Sequence, residues 1–326
     1  MIFKDTFTPY PSAGDRQTVL PEVCTALLDE QKSSWPLLHD GWAALKTTKT
    51  REIACRGFSV QVQYNPQRLV STAAKVDEQS VRERPCFLCP DHLPAEQKGI
   101  VYGDKFVILC NPAPIFHQHF TIALREHEPQ AFEPWSNDFL MLTAALGPSM
   151  TLFYNGPRCG ASAPDHVHFQ ACSSGIIPVE RDMLNVSRKV ALKTLDGVVV
   201  STLNEYGRGI ILVQSENMTE CGRMIRRLVN IMRDLCNDPE EPMINVIGTF
   251  MEGGWTIVII PRRKHRPSMF FADDRIVISP AAVDMGGLII TPREKDFHNL
   301  EAGLIESIYR EVGVPMHRIH TIVERV

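Results

Sequence analysis

The stretch that most limits how this chain can fold is Asn155 to Gln170, NGPRCGASAPDHVHFQ, where a glycine-containing loop runs into alternating polar and apolar residues. Side chains two apart on a strand share a face. The pattern therefore predicts His166, His168 and Gln170 on one side and Val167 and Phe169 in a core. A half-buried strand with a wet face looks the same, so HxH alone does not mark a site. The loop in front of it makes the case.

The remaining composition sets outer limits. Of 326 residues 44% are apolar and 22% charged, ordinary for a soluble globular protein and too apolar for a disordered one. No basic start leads into an apolar run, and no stretch approaches the roughly twenty apolar residues of a membrane span. The expectation is a soluble, unsecreted, cytoplasmic protein that engages no membrane. A net charge of -4 gives no reason to expect a nucleic acid as partner. The nine cysteines are mostly isolated, as at Cys24, Cys110, Cys172, Cys221 and Cys236, which suits reduced thiols. Cys86-Phe87-Leu88-Cys89 is the exception.

In chain order, Gln17–Lys32 reads as a helix with Pro21 in its first turn. Phe58–Tyr64 alternates as a strand, and Arg84–Pro90 is a proline-bracketed turn around CxxC. Phe106–Cys110 and His119–Leu124 form an antiparallel pair. Ser136 or Asn137 caps a helix that ends at Gly147-Pro148, and Thr151–Tyr154 is the strand that enters the loop. Further on, Gly197–Leu203 and Gly209–Gln214 make a hairpin, Glu216–Leu235 an amphipathic helix, and Asn299–Val312 a final helix closed by Gly313. The run from His119 to Pro129 has an echo from Gly254 to Pro267: each is a Thr-Ile strand that ends in charge, His and Pro. The echo predicts an α+β fold of two related units, 1–200 and 201–326. The second is degenerate, because its corresponding stretch, Met285–Ile290, has no histidine.

Cys86 and Cys89 have the spacing with which two thiolates hold one tetrahedral metal, leaving two ligands to come from elsewhere. A redox pair is the rival, although Pro90 and Asp91 do not provide the helix start that lowers a thiol pKa. Nitrogen ligands could come from His92, His117, His119, His127 or His166. Arg262, Arg263, Lys264 and Arg266 form the densest basic cluster. It is either a solvated strand end or a phosphate contact from the second unit. Trp255 reads as core, and Arg158, inside the loop, is the stronger phosphate candidate.

CFLC, NPAPIFHQHFTIALREHEPQ, a helix and NGPRCGASAPDHVHFQ together resemble the histidine-triad (HIT-like) superfamily, specifically its nucleotidyltransferase branch. That branch includes galactose-1-phosphate uridylyltransferase, diadenosine tetraphosphate phosphorylase and GDP-hexose phosphorylases. The likeness runs from about Cys86 to Ala171, and more weakly through Asn245–Arg263. It implies an antiparallel sheet with flanking helices, and an enzyme acting on a nucleotide-sugar or dinucleoside polyphosphate. By this resemblance His168 would attack the α-phosphorus and form a covalent nucleotidyl-histidine, with orthophosphate or a sugar phosphate as acceptor. The carbonyl of His166 would hold its other ring nitrogen, and Gln170 would donate to a phosphate oxygen. Asn155, Ser162 and the backbone at Gly160 and Ala161 would cradle the rest. The resemblance also implies a structural zinc on Cys86, Cys89, His127 and His166, and a homodimer. The chain departs from the uridylyltransferase pattern in placing Asp165 between Pro164 and His166, and Val167 in place of a proline. A non-catalytic, zinc-braced nucleotide-binding protein is the alternative from another class, and a redox protein the third.

Overall fold

The computed structural model describes residues 7–10, 19–69, 77–236 and 240–326. Gln17 and Thr18, the first residues of the expected N-terminal helix, lie outside them. In the first half, β1 (Phe7–Pro9) precedes α1 (Leu20–Ser34), β2 (Lys49–Cys55), β3 (Phe58–Tyr64), β4 (Gly99–Tyr102), β5 (Phe106–Cys110) and β6 (His119–Leu124). Then come α2 (Ser136–Leu146), β7 (Met150–Asn155) and β8 (His168–Ser173). The second half carries β9 (Lys189–Leu195), β10 (Val198–Leu203), β11 (Ile211–Ser215), α3 (Met218–Cys236), β12 (Ile244–Met251) and β13 (Gly254–Pro261). It closes with α4 (Ala282–Met285), β14 (Leu288–Thr291), α5 (Ala302–Val312) and α6 (Met316–Glu324).

Eleven strands form one sheet in the order β1-β4-β5-β6-β8-β7-β12-β13-β11-β10-β9, and β14-β3-β2 form a second, three-stranded one. The large sheet is antiparallel except at β1, which runs parallel to β4. The series β4-β5-β6-β8-β7 carries α2 between its third and fourth strands in sequence. The series β9-β10-β11-β13-β12 carries α3 at the same place. The two series meet where β7 pairs antiparallel with β12, with Asn155 opposite Asn245. By position, then, β13 is the counterpart of β8 and not of β6, as the sequence echo suggested. Met285–Ile290 belongs instead to α4 and the small sheet.

Period two decides which face each strand residue takes. Phe120, Ile122 and Leu124 of β6 and Phe169 and Ala171 of β8 join α1, α2, α3 and α6 in one core. Phe153, Cys172, Val258 and Ile260 turn to the other face, under the small sheet, α4 and α5. Burying each of the large aliphatic and aromatic side chains among these contributes roughly 1.5–3 kcal/mol, so a one-residue slip in register would be prohibitively costly. Pro21 does lie in the first turn of α1. Ser136 and Asn137 do not cap α2, whose N-cap is Trp135 without a side-chain bond; Asn137 instead accepts from Arg226. The last expected helix begins at Ala302, and α6, which the sequence reading missed, follows it. Trp255 is half-buried on Phe250 and donates to the Leu140 carbonyl. Among the described residues no helix is long and apolar enough to cross a membrane.

Candidate active site and metal cluster

The face of the sheet opposite α2 carries a cavity of about 540 Å³ where β6, β8 and β7 end. His168, Gln170, Asn155, Gly160, Ala161 and Ser162 all line it, as the sequence reading expected. Strand β8 begins at His168, so His166 lies just before it and turns to a different set of partners.

His168 is buried, and its Nδ1 lies 2.8 Å from the His166 carbonyl. A carbonyl only accepts, so Nδ1 carries the proton and Nε2 keeps its lone pair for the cavity. Burial is the largest influence on this ring and lowers its pKa to about 4, although the bond to His166 pulls the other way. Its backbone is fixed by a residue the sequence reading did not identify. Gln130 accepts from the His168 amide at 2.8 Å and donates to the carbonyls of Asn155 and His168 at 3.0 Å each.

Gln170 is oriented by His119. The Ile115 amide donates to His119 Nδ1 at 3.2 Å, which leaves the proton on Nε2, and Nε2 donates to Gln170 Oε1 at 2.9 Å. The Gln170 amide nitrogen is then the end available to the cavity. Burial depresses the His119 pKa to about 3, so the relay stays neutral. His119, a candidate metal ligand or core histidine by sequence, is buried and takes this orienting role.

In the loop, Gly160 has φ +115, and a Cβ there would stand 2.6 Å from Ala281 Cβ. Only glycine fits this backbone and this approach. The Ala161 amide is engaged with the Gly156 carbonyl at 3.3 Å, so it does not face the cavity as a donor. Arg158 also departs from expectation. It pairs with Glu240 at 3.2 Å, donates to the Glu241 carbonyl at 2.9 Å, and does not line the cavity. The cations on the wall are Arg68, Arg84 and Arg266. Arg84 is held by Asp165 at 2.6 Å, which gives the extra residue of the loop a partner. Of the basic cluster, Arg262 is buried beneath the wall, while Arg263 and Lys264 bind the C-terminal end of α5.

Beside the cavity, ligand atoms of Cys86, Cys89, His127 and His166 all lie within 4.8 Å of one another. Cys86 Sγ is 3.3 Å and Cys89 Sγ 3.6 Å from His166 Nδ1, and Cys89 Sγ is 3.1 Å from His127 Nδ1. Tetrahedral zinc would separate sulfur and nitrogen ligands by about 3.6 Å. The cluster is therefore close to the size of such an ion's ligand shell. His166 Nε2 donates to the Leu124 carbonyl at 2.6 Å, which leaves Nδ1 unprotonated toward the cluster, the usual arrangement for a ligating imidazole. His127 reaches the cluster because residues 125–127 loop out between Leu124 and Glu128, both of which pair with Val167. The other candidates lie elsewhere: His92 Nδ1 contacts the Cys86 carbonyl, and the His117 ring packs edge-on against Trp42. The four residues can hold a metal ion.

A family model described as a domain of unknown function (DUF4922) matches residues 27–173. No curated protein matches the chain. Among solved structures, yeast Ap4A phosphorylase Apa2 aligns with a TM-score of 0.56 at 16% identity, covering 86% of this chain and 94% of that one. Its complex with Ap4A gives 0.58 at 14%, covering 86% and 97%. Its complex with AMP gives 0.56 at 15%, covering 89% and 97%. The chain thus shares the fold of yeast Ap4A phosphorylase, an α+β architecture of the kind the motifs implied.

Proposed function

We propose that this chain is a nucleotidyltransferase or phosphorylase of the HxHxQ type, acting through a covalent nucleotidyl-His168. One observation carries the reading: His168 Nδ1 is locked on the His166 carbonyl, so an unprotonated Nε2 is presented to the cavity. Nε2 attacks the α-phosphorus of a bound nucleotide, a P–N bond forms, and the P–O bond to the leaving phosphate breaks with its electron pair. An oxygen of orthophosphate or of a sugar phosphate then attacks the same phosphorus and displaces His168. The charge that builds on the ring is shared with the His166 carbonyl. Gln170, with its amide nitrogen turned outward by His119, and Asn155 donate to the phosphate oxygens. Ser162 and the guanidinium groups of Arg68, Arg84 and Arg266 on the same wall suit the rest of a phosphate chain. Arg158, turned to Glu240, has no part in this step.

Zinc is the metal that suits two thiols and two imidazoles at these distances. Bound by Cys86, Cys89, His127 and His166, it would brace the backbone of His166, whose carbonyl orients the nucleophile. We assign the chain as two units that meet before β9 (Lys189–Leu195), ahead of the expected boundary at 200, which falls inside β10; the first has the chemistry and the second does not. A reduced cytoplasmic setting suits its nine free thiols. The yeast neighbour in complex with Ap4A makes a dinucleoside polyphosphate the first substrate to try, with nucleotide-sugars next. The test is a screen of both classes with and without orthophosphate, read as released nucleoside diphosphate. Phosphate-dependent release of nucleoside diphosphate identifies a phosphorylase, whereas an added sugar phosphate converted to a nucleotide-sugar, with no free nucleoside diphosphate, identifies a transferase. Tight nucleotide binding with no turnover against any acceptor would sink the enzyme reading.

A further inference from the structure

Asn155 closes β7 at the cavity wall, and its side chain is held from the second half of the chain. Its Oδ1 accepts the Ala282 amide at 2.7 Å and the side-chain amide of Asn245 at 3.1 Å. With two donors on the oxygen, the amide nitrogen is the end left for the cavity that Asn155 lines. Asn245 is no freer to turn. Its nitrogen also donates to the Cys159 carbonyl at 2.8 Å, and its oxygen accepts from Arg262 Nη1 at 2.6 Å. Asn245 and Arg262 are 0% and 4% exposed.

The order of these three residues has a direction. A guanidinium has only donors, so Asn245 must show it an oxygen and must turn its nitrogen toward Asn155. Asn155 must then answer with its oxygen and turn its own nitrogen out. Arg262 cannot swing away, because it also binds the carbonyls of Pro280 at 2.8 Å and of Lys264 and His265 at 3.0 Å each. Those bonds hold the segments that bring His265, Arg266, Ser279 and Ala281 to the cavity. The sequence offered two readings for the basic cluster, a solvated strand end or a direct phosphate contact. Arg262, being buried and fully engaged, fits neither.

We propose that Arg262 and Asn245 are positioning residues that set the orientation of the Asn155 amide, so that it donates to a phosphate of a bound nucleotide. The inference rests on the nucleotidyl-transfer reading for its ligand class and assigns the second half of the chain a function in that site. The guanidinium polarises both amides in turn, since hydrogen bonds in series strengthen one another. The Ala282 amide already favours the oxygen-inward orientation; Asn245 adds the second donor and, held by Arg262, disfavours the flipped one.

Asn245→Asp separates the two roles. A carboxylate keeps an oxygen for Arg262 and strengthens that bond by charge, but has no donor for Asn155 Oδ1. The carboxylate instead accepts from the Asn155 nitrogen and draws it off the cavity against the one donor left on the oxygen, the Ala282 amide, so that the Asn155 oxygen faces a bound anion and repels it. By calorimetric titration with AMP, GMP and UMP, Asn245→Asp weakens binding about tenfold or more, the scale of one misplaced buried donor. The thermal midpoint falls, because the second carboxylate oxygen meets the Cys159 carbonyl that the amide nitrogen served, so binding is compared at a temperature where both proteins are folded and carry the same zinc content. In an Asn155→Ala background the same substitution adds nothing, because the residue it acts through is gone. An equal loss in both backgrounds, or no loss in either, overturns the proposal. Should Asn245→Asp fail to fold, the parent protein still decides. Its Asn155 side-chain amide resonances shift when AMP is added, whereas unshifted resonances, or no binding of any nucleoside monophosphate, overturn the proposal. No adduct on His168 combined with a weakened Asn245→Asp variant defeats the transfer reading and leaves this inference standing. A normal adduct with undiminished binding in that variant does the reverse.

Discussion

Replacing Gln130 by alanine tests how His168 is held. The β7–β8 ladder ends with Phe153 opposite Gln170, and beyond it the Gln130 side chain takes over the pairing. It makes three bonds, at 2.8 Å to the His168 amide and at 3.0 Å to each of the carbonyls of His168 and Asn155. The residue is 4% exposed. Each buried group left without a partner costs about 1–3 kcal/mol. Two of the three bonds share one nitrogen, and part of the wall can relax. The expected loss is therefore about 3–5 kcal/mol, read as a fall in the urea midpoint. Gln130→Glu refines the test: it keeps an oxygen for the His168 amide but turns a second oxygen on two carbonyls, so it should recover little. Nucleotidyl labelling of His168 should fall in both variants even under conditions where they remain folded. A cost below about 1 kcal/mol with full labelling would refute the reasoning.

Gly160→Ala places a Cβ 2.6 Å from Ala281 Cβ at a φ of +115. It should cost on the order of 2–4 kcal/mol and weaken AMP binding, measured by thermal melting and calorimetry. Asp284 gives a pH dependence: burial, against the pull of its backbone hydrogen bonds and Arg68, raises its carboxyl from 3.8 to about 6. A folded pKa above the unfolded one means that this group's contribution is fullest below about pH 4 and is lost as the pH rises through about 6. The stability difference between the parent and Asp284→Asn should therefore shrink by up to about 3 kcal/mol across that window, and a flat difference would contradict the assignment. Purified protein should carry one zinc per chain. Stripping it with a strong chelator should lower the thermal midpoint and slow His168 labelling by about tenfold or more.

Much of this site was legible because its residues are local. The alternation in HVHFQ, the spacing of CxxC and the glycine at 160 follow from chain geometry over a few residues; His168, Gln170 and Gly160 line the cavity as the pattern predicts, while His166, just before the strand, turns to the cysteines instead. What the sequence hid depends on strand order. Nothing near Gln130 indicates that it will complete the ladder between β7 and β8, and nothing in Asn245 or Arg262 points to Asn155 until β12 is laid beside β7. The echo between His119 and Gly254 misled for the same reason: like sequences of strand residues occupy unlike places in the two series. Arg158 reads as available because it sits within the loop itself. Its partners, Glu240 and Glu241, come from more than eighty residues away.

The central claim is that the free nitrogen of His168 becomes bonded to phosphorus. Intact-protein mass spectrometry after brief exposure to a dinucleoside polyphosphate or a nucleotide-sugar, without acceptor, tests it directly. The account predicts a gain of one nucleoside monophosphate, acid-labile as a P–N bond is, mapping to His168 and discharged on adding the acceptor. It should be absent in His168→Ala. Turnover retained by His168→Ala, or an adduct that maps to any other residue, would contradict it.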